Sequence, residues 1–343
     1  MDSITQFVLG SSVALAMTGR HSRARLAAWK IAIIGGVVGT LPDLDAFIDF
    51  GDAISNMIRH RAETHGLFIL TLVAPFLGFL VAKFQGEPGL WRRWTVTCWL
   101  ILITHVGIDY LTIYGTQLLQ PFSDRPFGVG SMFVIDPLYT VPLILGVVLT
   151  TIARGPRCWL WNQIGLLLSS TYIVWGLGVH QHAVNVARQY LPVTVDSSSV
   201  LVTAAPLNTV LWRALVVTPD AYYEGWYSLL DPEQKFTWEK FSRDETVTAR
   251  HANHPDVIRV ASFSDGFFNV EERDRRLYVT DLRLGVEPFY SFRFDLGPLA
   301  KAPPGRSERV GIRPDFASGL PWLWQRIKGD TESYVTYRAR MTR

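Results

Sequence analysis

Residues 29–47 read "WKIAIIGGVVGTLPDLDAF". This apolar run approaches the length of about 20 residues that a helix needs to span a bilayer. It ends at Pro42, which is followed by Asp43 and Asp45. A carboxylate at membrane depth is costly unless it is paired or binds an ion. The stretch therefore predicts a membrane helix with a functional site at its end, and if "PDLD" is extended, both carboxylates point the same way.

The composition of the chain changes along its length. Of the 343 residues, 13% are aromatic and 18% are charged, and nearly all the long apolar runs lie before about residue 185. We predict a membrane α-helical bundle over residues 1–185, followed by a soluble α+β domain with a mostly antiparallel sheet over 190–343. A net charge of only +3 without a basic stripe argues against a nucleic-acid partner. Cys98 and Cys158 lie in or beside apolar runs, which argues against a disulfide framework.

The apolar runs predict about six membrane spans. They cover residues 4–18, 30–48, 65–83, 94–113, 136–153 and 159–180. Alternate connections carry most of the basic residues, namely Arg20, Arg23, Arg25, Lys30, Lys83, Arg92, Arg93, Arg154 and Arg157. The positive-inside rule places these connections in the cytoplasm. We therefore expect a multi-pass protein in the lipid bilayer with an extracytoplasmic C-terminal domain.

Polar residues that could bind metal border the predicted spans, all toward the predicted outer face. They are Gln6, Asp43, Asp45, His60, His65, His105, Asp109 and Asp136. His105 and Asp109 are four residues apart, which places them on one face of a helix. The set exceeds the four ligands of one zinc ion and suits two or three divalent ions, with zinc as the expected metal.

Several of these residues also allow simpler roles. Asp136 precedes a proline, so a helix cap is as reasonable as a ligand role. His105 and Asp109 could form a buried hydrogen-bonded pair. Glu63 is a candidate general base or a partner of a ligand. Asp45 is a candidate catalytic carboxylate.

Two further groups have other possible roles. Arg59 and Arg61 are candidates for binding an anionic substrate group, although arginines are common at headgroup level without that role. His251 and His254 in "HANH" are more typical of a solvated surface than of a metal pair. The aromatic residues of the C-terminal half are more typical of a sheet core than of a sugar-binding platform.

The motifs of the N-terminal half resemble a known family. "MDSITQFVLG", "GTLPDLD", "HRAETHG", "THVGIDYLTIYG" and "IDPLY" occur in the order seen in the membrane-bound metal-dependent hydrolases, also described as LexA-binding, inner-membrane-associated hydrolases. The resemblance covers most of residues 1–180 and implies an inner-membrane location. It implies ligand roles for seven residues, namely Asp43, Asp45, His60, His65, His105, Asp109 and Asp136. Gln6 stands where the family usually has histidine, and Ala62 and Gly66 stand where it usually has glycine and serine.

The family is more distantly similar to zinc-dependent phospholipase C and single-strand-specific nucleases. This similarity implies a trinuclear zinc site and phosphodiester hydrolysis. We therefore expect a membrane-embedded metal-dependent hydrolase that acts on a phosphoester such as a phospholipid. The alternatives are a divalent-metal or proton transporter, and a metal-stabilised structural or sensor protein.

Overall fold

A computed structural model describes residues 1–18, 27–153, 155, 157–193, 200–299, 306–311 and 315–341. The helices are α1 Ser3–Thr18, α2 Ala28–Thr40, α3 Ala53–Arg59, α4 Leu67–Phe84, α5 Trp91–Tyr110, α6 Pro137–Ile152, α7 Trp159–Gln189, α8 Glu245–Arg250, α9 Pro255–Phe263, α10 Phe316–Ile327 and α11 Tyr334–Met341. Short 3₁₀ turns cover Pro42–Phe47, Glu63–His65 and Pro88–Leu90. The strands are β1 Val200–Ala204, β2 Leu211–Val217, β3 Ala221–Ser228, β4 Thr237–Ser242, β5 Phe268–Arg273, β6 Arg276–Val286, β7 Phe289–Pro298 and β8 Glu308–Arg309.

The chain folds into two compact units that are not simple halves of the sequence. The first unit contains Met1–Ile48, Arg59–Gly178 and Pro206–Asn208. The second unit contains Asp49–Ile58, Val179–Ala205 and Thr209–Arg343. The division at Gly178 falls inside α7, and a ten-residue segment from the N-terminal part of the chain belongs to the second unit.

The prediction of about six membrane spans is wrong. Among the described residues, α4 alone is both long and apolar enough to cross a bilayer, with 18 residues and a mean hydropathy of 2.2. Helices α1, α2 and α6 are apolar, but they have 16, 13 and 16 residues, fewer than the roughly 17–25 that a span needs. Helix α5 has 20 residues, but arginines in its first turn and the His105–Asp109 pair in its last turns interrupt its apolar character.

The predicted membrane topology requires these spans and is therefore not supported. The multi-pass arrangement and the extracytoplasmic position of the C-terminal domain depend on the distribution of basic residues between these spans, so neither is supported. Four of the basic residues counted, Arg20, Arg23, Arg25 and Arg154, lie outside the described residues.

Glycines bring the backbones of α1 and α2 into direct contact in the first unit. A Cβ atom added to Gly10 would overlap the carbonyl oxygen of Gly35, and one added to Gly39 would lie 2.8 Å from the carbonyl oxygen of Gln6. Only glycine permits so close an approach. The contact fixes the end of α2, and with it the turn Pro42–Phe47, beside the start of α1.

The second unit contains two four-stranded antiparallel sheets, with strand orders β1-β2-β3-β4 and β5-β6-β7-β8. One face of the first sheet, including Tyr227, packs against the part of α7 that contains Val179 and Ala183. The opposite face carries Trp226, which packs against Phe289 of the second sheet and Trp322 of α10. A helical region followed by antiparallel sheets therefore agrees with the prediction.

Candidate metal centre

Four of the predicted ligands converge in the first unit. Asp43, His65, His105 and Asp109 each offer one ligand atom, and these atoms all lie within 4.8 Å of one another. Asp43 comes from the Pro42–Phe47 turn, His65 ends the Glu63–His65 turn, and the other two lie on successive turns of α5. The side chains of His65, His105 and Asp109 are at most 1% exposed, whereas that of Asp43 is 15% exposed. The centre is therefore buried, with Asp43 on its accessible side.

The hydrogen bonds of the two imidazoles define which ring nitrogen faces the centre. His105 Nδ1 lies 2.7 Å from the carbonyl oxygen of Gly39, and a carbonyl only accepts, so Nδ1 donates. Thr64 Oγ1 donates to Asp45 Oδ2 at 2.6 Å and accepts from His65 Nδ1 at 2.9 Å. In both neutral rings Nε2 is therefore left with a lone pair. The two Nε2 atoms lie 3.2 Å apart.

The two carboxylates add further acceptors at the same point. Asp43 Oδ1 lies 3.4 Å from His65 Nε2 and 3.5 Å from His105 Nε2. Asp109 Oδ2 lies 3.3 Å and 3.6 Å from the same two nitrogens. Both oxygens, and Gln6 Oε1, are buried without a hydrogen-bond partner among the described residues. Such a group of acceptors is costly to bury unless a cation lies among them, and this donor set suits a divalent metal.

The second oxygen of Asp109 is held by positively charged and amide groups. Asp109 Oδ1 accepts from Gln6 Nε2 at 3.1 Å, lies 3.3 Å from Arg61 Nη2 and contacts the α-amino group of Met1. Arg61 is 3% exposed and also donates to Thr112 Oγ1 at 3.1 Å. These contacts orient the carboxylate so that Oδ2 faces the centre.

The pKa directions show that the centre favours positive charge. Burial alone would raise the pKa of Asp43, but the adjacent imidazoles of His105 and His65 lower it well below its usual value. Burial would lower the pKa of His65, but Asp109 and Asp43 raise it overall. The arrangement therefore stabilises a cation, carried either by a protonated imidazole or by a metal ion.

Asp45 and His60 lie beside the four-residue group. His60 Nδ1 is 2.7 Å from Asp45 Oδ1, and Asp45 Oδ2 accepts from the backbone N–H of Arg61 at 3.0 Å as well as from Thr64. The expected extended "PDLD" is a 3₁₀ turn instead. With three residues per turn, residues two apart diverge, so Asp43 faces the centre while Asp45 does not. A ligand role for Asp45 and His60 stays a prediction.

The remaining predicted residues have other partners. Asp136 caps α6, because its Oδ1 accepts from the backbone N–H of Leu138 at 3.1 Å and its Oδ2 accepts from Tyr172 Oη at 2.9 Å. Both of its oxygens are thus used, as in the cap interpretation. Arg59 and Glu63 form an ion pair at 2.7 Å with side chains nearly half exposed, so their substrate and catalytic roles stay predictions.

The histidines of "HANH" take part in local contacts of the second unit. His251 Nε2 lies 2.7 Å from Glu272 Oε1. His254 caps α9, with its Nδ1 accepting from the backbone N–H of Asp256 at 3.2 Å. These contacts explain both residues without a metal.

Three groups that orient the ligands or their partners are not among the predicted site residues. Thr64 and Thr112 and the carbonyl of Gly39 hold ligand or arginine side chains in place. Thr64 could have been suspected, because it lies between the two histidines of "HRAETHG" and a hydroxyl can both donate and accept. A backbone carbonyl leaves no signal in the residue type.

Comparison with known proteins gives a family and a distant relative. The chain is 21% identical over 225 residues to "Uncharacterized protein YfhP" of Bacillus subtilis (strain 168), covering 61% of this chain and 67% of that protein. No solved structure matches the chain. The profile of the YdjM inner membrane protein family matches residues 1–183, which is more than half of the chain and includes all four residues of the centre. The chain therefore belongs to the YdjM inner membrane protein family.

Proposed function

We propose that the chain is an inner-membrane, metal-dependent hydrolase that holds a divalent ion among Asp43, His65, His105 and Asp109. One observation carries the proposal: four buried acceptor atoms lie within 4.8 Å of one another, with both ring Nδ1 atoms hydrogen-bonded elsewhere. Two imidazoles and two carboxylates are ligands that zinc accepts. A divalent ion held there supplies Lewis-acid chemistry, which polarises a substrate oxygen and lowers the pKa of a water molecule.

The residues around the ligands prepare the centre. Gly39 and Thr64 fix the ring orientations of His105 and His65. Arg61 and Gln6 hold Asp109 Oδ1, which leaves Oδ2 for the ion. Partners of this kind typically change metal affinity by about 10–100-fold when they are removed.

Asp45 and His60 extend the polar site on its accessible side. The His60 side chain is 24% exposed and its Nδ1 is held by Asp45, so its Nε2 is available to a second ion or to a proton in transfer. Two or three ions, as the family resemblance implies, would use it as a ligand. The nearby exposed Arg59 would bind an anionic substrate group by exchanging its ion pair with Glu63 for the substrate. These features support a phosphoester substrate, with a phospholipid as the natural candidate for an inner-membrane protein.

Metal content and hydrolysis together test the proposal. The full chain, purified in detergent and dialysed against zinc, should retain at least one ion per chain and hydrolyse bis(p-nitrophenyl) phosphate. His105→Ala and Asp43→Asn should lose both properties, while His251→Ala, in the second unit, should keep them. A wild-type chain that retains no stoichiometric metal and cleaves nothing would refute the proposal.

Two intermediate outcomes are also informative. Bound metal without turnover of phosphodiesters or phospholipid vesicles would favour the structural or sensor interpretation, especially if metal removal unfolds the chain. Cleavage of the small phosphodiester but not of phospholipids would reject the lipid substrate alone. Circular dichroism of each variant separates loss of ligand atoms from loss of fold.

A further inference from the structure

The second unit contains a cavity of about 240 Å³. It lies where β3 and β4 meet α10 and the segment 331–333, and it is lined by Trp226, Trp322, Glu239, Arg326 and Glu332, among others. Sites for drug-sized ligands typically occupy about 300–1,000 Å³. The cavity therefore has room for a small molecule only. None of these residues belongs to the metal centre.

Two indole rings form a rigid apolar wall of the cavity. Trp226 and Trp322 are 7% and 3% exposed, and their ring centroids lie 4.9 Å apart with the rings nearly perpendicular. The Nε1 group of Trp322 donates to the carbonyl oxygen of Glu332 at 2.9 Å. The wall is thus fixed before any ligand binds.

The charged groups of the cavity leave one negative charge without a counter-ion. Arg326 is neutralised by Asp231, with Nη1–Oδ1 at 2.7 Å and Nη2–Oδ2 at 2.8 Å. Glu332 pairs with Arg340 at 2.7 Å. Within the described part of the chain, Glu239 takes part in no ion pair.

The neighbours of Glu239 do not compensate its charge. It lies directly opposite Glu224 in the β3–β4 register, and the arginine beside Glu224 is committed to Glu224 itself. Burial raises the pKa of Glu239, a hydrogen bond with Ser333 lowers it, and Glu224 raises it again, so the net direction is upward. A cation in the cavity would relieve this unfavourable charge.

A second unsatisfied group indicates a polar occupant. Arg326 is 1% exposed, and its Nε–H has no acceptor among the described residues. Three of its four other N–H groups donate to Asp231 and to the carbonyl oxygen of Trp226, the last at 2.8 Å. A buried donor without a partner costs free energy, so an occupant with an oxygen acceptor is favoured.

We propose that this cavity binds a small organic cation that carries an oxygen, of the amino-alcohol class represented by ethanolamine and choline. The ammonium group lies beside Glu239 against the indole wall, where the ring electrons of tryptophan attract a cation. The oxygen accepts from Arg326 Nε. A neutral sugar would satisfy the arginine but would leave the charge of Glu239 uncompensated.

A titration with matched ligands tests the charge requirement. Choline is added to the detergent-purified full chain, and tryptophan fluorescence and calorimetry follow binding; 3,3-dimethyl-1-butanol, its neutral analogue of the same shape, serves as the ligand control. Choline should bind saturably, and the neutral analogue about tenfold or more weaker. Glu239→Gln should weaken choline binding by a similar factor, whereas the exposed control Glu245→Gln should leave it unchanged.

Three results would overturn the proposal. They are no saturable binding of choline or ethanolamine, equal binding of the neutral analogue, and undiminished choline binding by a folded Glu239→Gln chain. If Glu239→Gln shows a lowered thermal midpoint, Glu239→Asp provides a second test, because it keeps a carboxylate at this position and should therefore keep the preference for choline over its analogue; a folded Glu239→Asp chain without that preference would count against the proposal. Neither result depends on metal, so failure here is distinct from failure of the hydrolase proposal.

Discussion

At the residue scale, Thr64 links the two parts of the polar site. Its hydroxyl donates to Asp45 and accepts from His65, so one side chain fixes the carboxylate that holds His60 and the imidazole that faces the ion. Thr64→Val keeps the shape of the side chain and removes both hydrogen bonds. We expect zinc affinity to fall about 10–100-fold, measured by competition with a chromophoric chelator.

The control for this change is Thr171→Val. The Thr171 hydroxyl is exposed and bonds to the backbone of its own helix, at 2.8 Å from the carbonyl oxygen of Leu167. Its removal should leave zinc affinity unchanged. Equal affinities for wild type and Thr64→Val would show that the hydroxyl does not orient His65.

The residue scale also shows what the sequence could predict about the site. Helical spacing was enough to bring His105 and Asp109 together, because residues four apart share a helix face. It was not enough to separate Asp43 from Asp45, since that depends on whether the backbone is extended or forms a 3₁₀ turn. Proline at the first position permits both conformations.

At the element scale, the close contact between α1 and α2 predicts that two glycine-to-alanine substitutions change stability in opposite directions. Gly10→Ala places a methyl group against the backbone of α2, so the two helices must separate. We expect a loss of about 1–3 kcal/mol in the free energy of unfolding. Gly107→Ala, on an exposed face of α5 with open space around it, should instead stabilise by about 0.5–1 kcal/mol. Thermal unfolding in one detergent compares the two, and a stable Gly10→Ala would contradict the close packing.

Helix α4 makes a prediction about membrane association. Phe76 is 63% exposed near the middle of α4, and Phe84 is 87% exposed at its end. A lysine at the centre of a span costs about 2.5–3.5 kcal/mol, whereas one at the end can reach the interface. Phe76→Lys should therefore increase the fraction released by carbonate washing of membranes, and Phe84→Lys should not. Equal retention of both would argue against insertion of α4.

The helices themselves were easier to predict than their role. Apolar runs indicated helices near the observed positions, because burial in a bilayer and burial in a protein core select the same residue types. Hydropathy alone does not distinguish a membrane span from a core helix, because it does not show where the regular helix ends. Helix α2, for example, ends at Thr40, before Pro42, and is too short for a span. The β-rich stretches of the C-terminal half were enough to predict a mostly antiparallel sheet, but the division of the strands into two sheets depends on long-range pairing.

At the scale of the whole molecule, Asp52 connects the segment Asp49–Ile58 to the rest of the second unit. It caps α3 by accepting from the backbone N–H of Ser55 at 2.9 Å, and it lies 3.3 Å from Arg259. Burial raises its pKa, but the bonds from Ser55 and the charge of Arg259 lower it to about 2. The folded pKa is below the unfolded value, so this stabilisation is present above about pH 4 and is lost as the pH falls toward 2.

The corresponding prediction compares Asp52→Asn with wild type. Asparagine can still cap α3, so the variant should lose only the charge interaction with Arg259 and be less stable by about 0.5–1 kcal/mol near neutral pH. The difference should shrink near pH 2.5, when the wild-type carboxylate is becoming protonated. Urea unfolding at the two pH values measures this. Asp124→Asn, at an exposed position, should show no such difference, and a constant gap for Asp52→Asn would reject the assigned pKa.

The contribution of Asp49–Ile58 to the second unit has a consequence for genetics. A stop codon or frameshift near residue 178 would remove both Arg259 and Ser307, whose carbonyl oxygen accepts from the backbone N–H of Ala53 at 3.4 Å. The truncated product would keep every ligand of the metal centre in its sequence. It would also keep Asp49–Ile58, without the rest of the unit to which this segment belongs. In the sequence this segment lies between Asp45 and His60, which are neighbours in the site. Truncation at the apparent domain boundary therefore affects more than the residues that it removes. A null phenotype from such an allele would not show that the activity lies in the missing part.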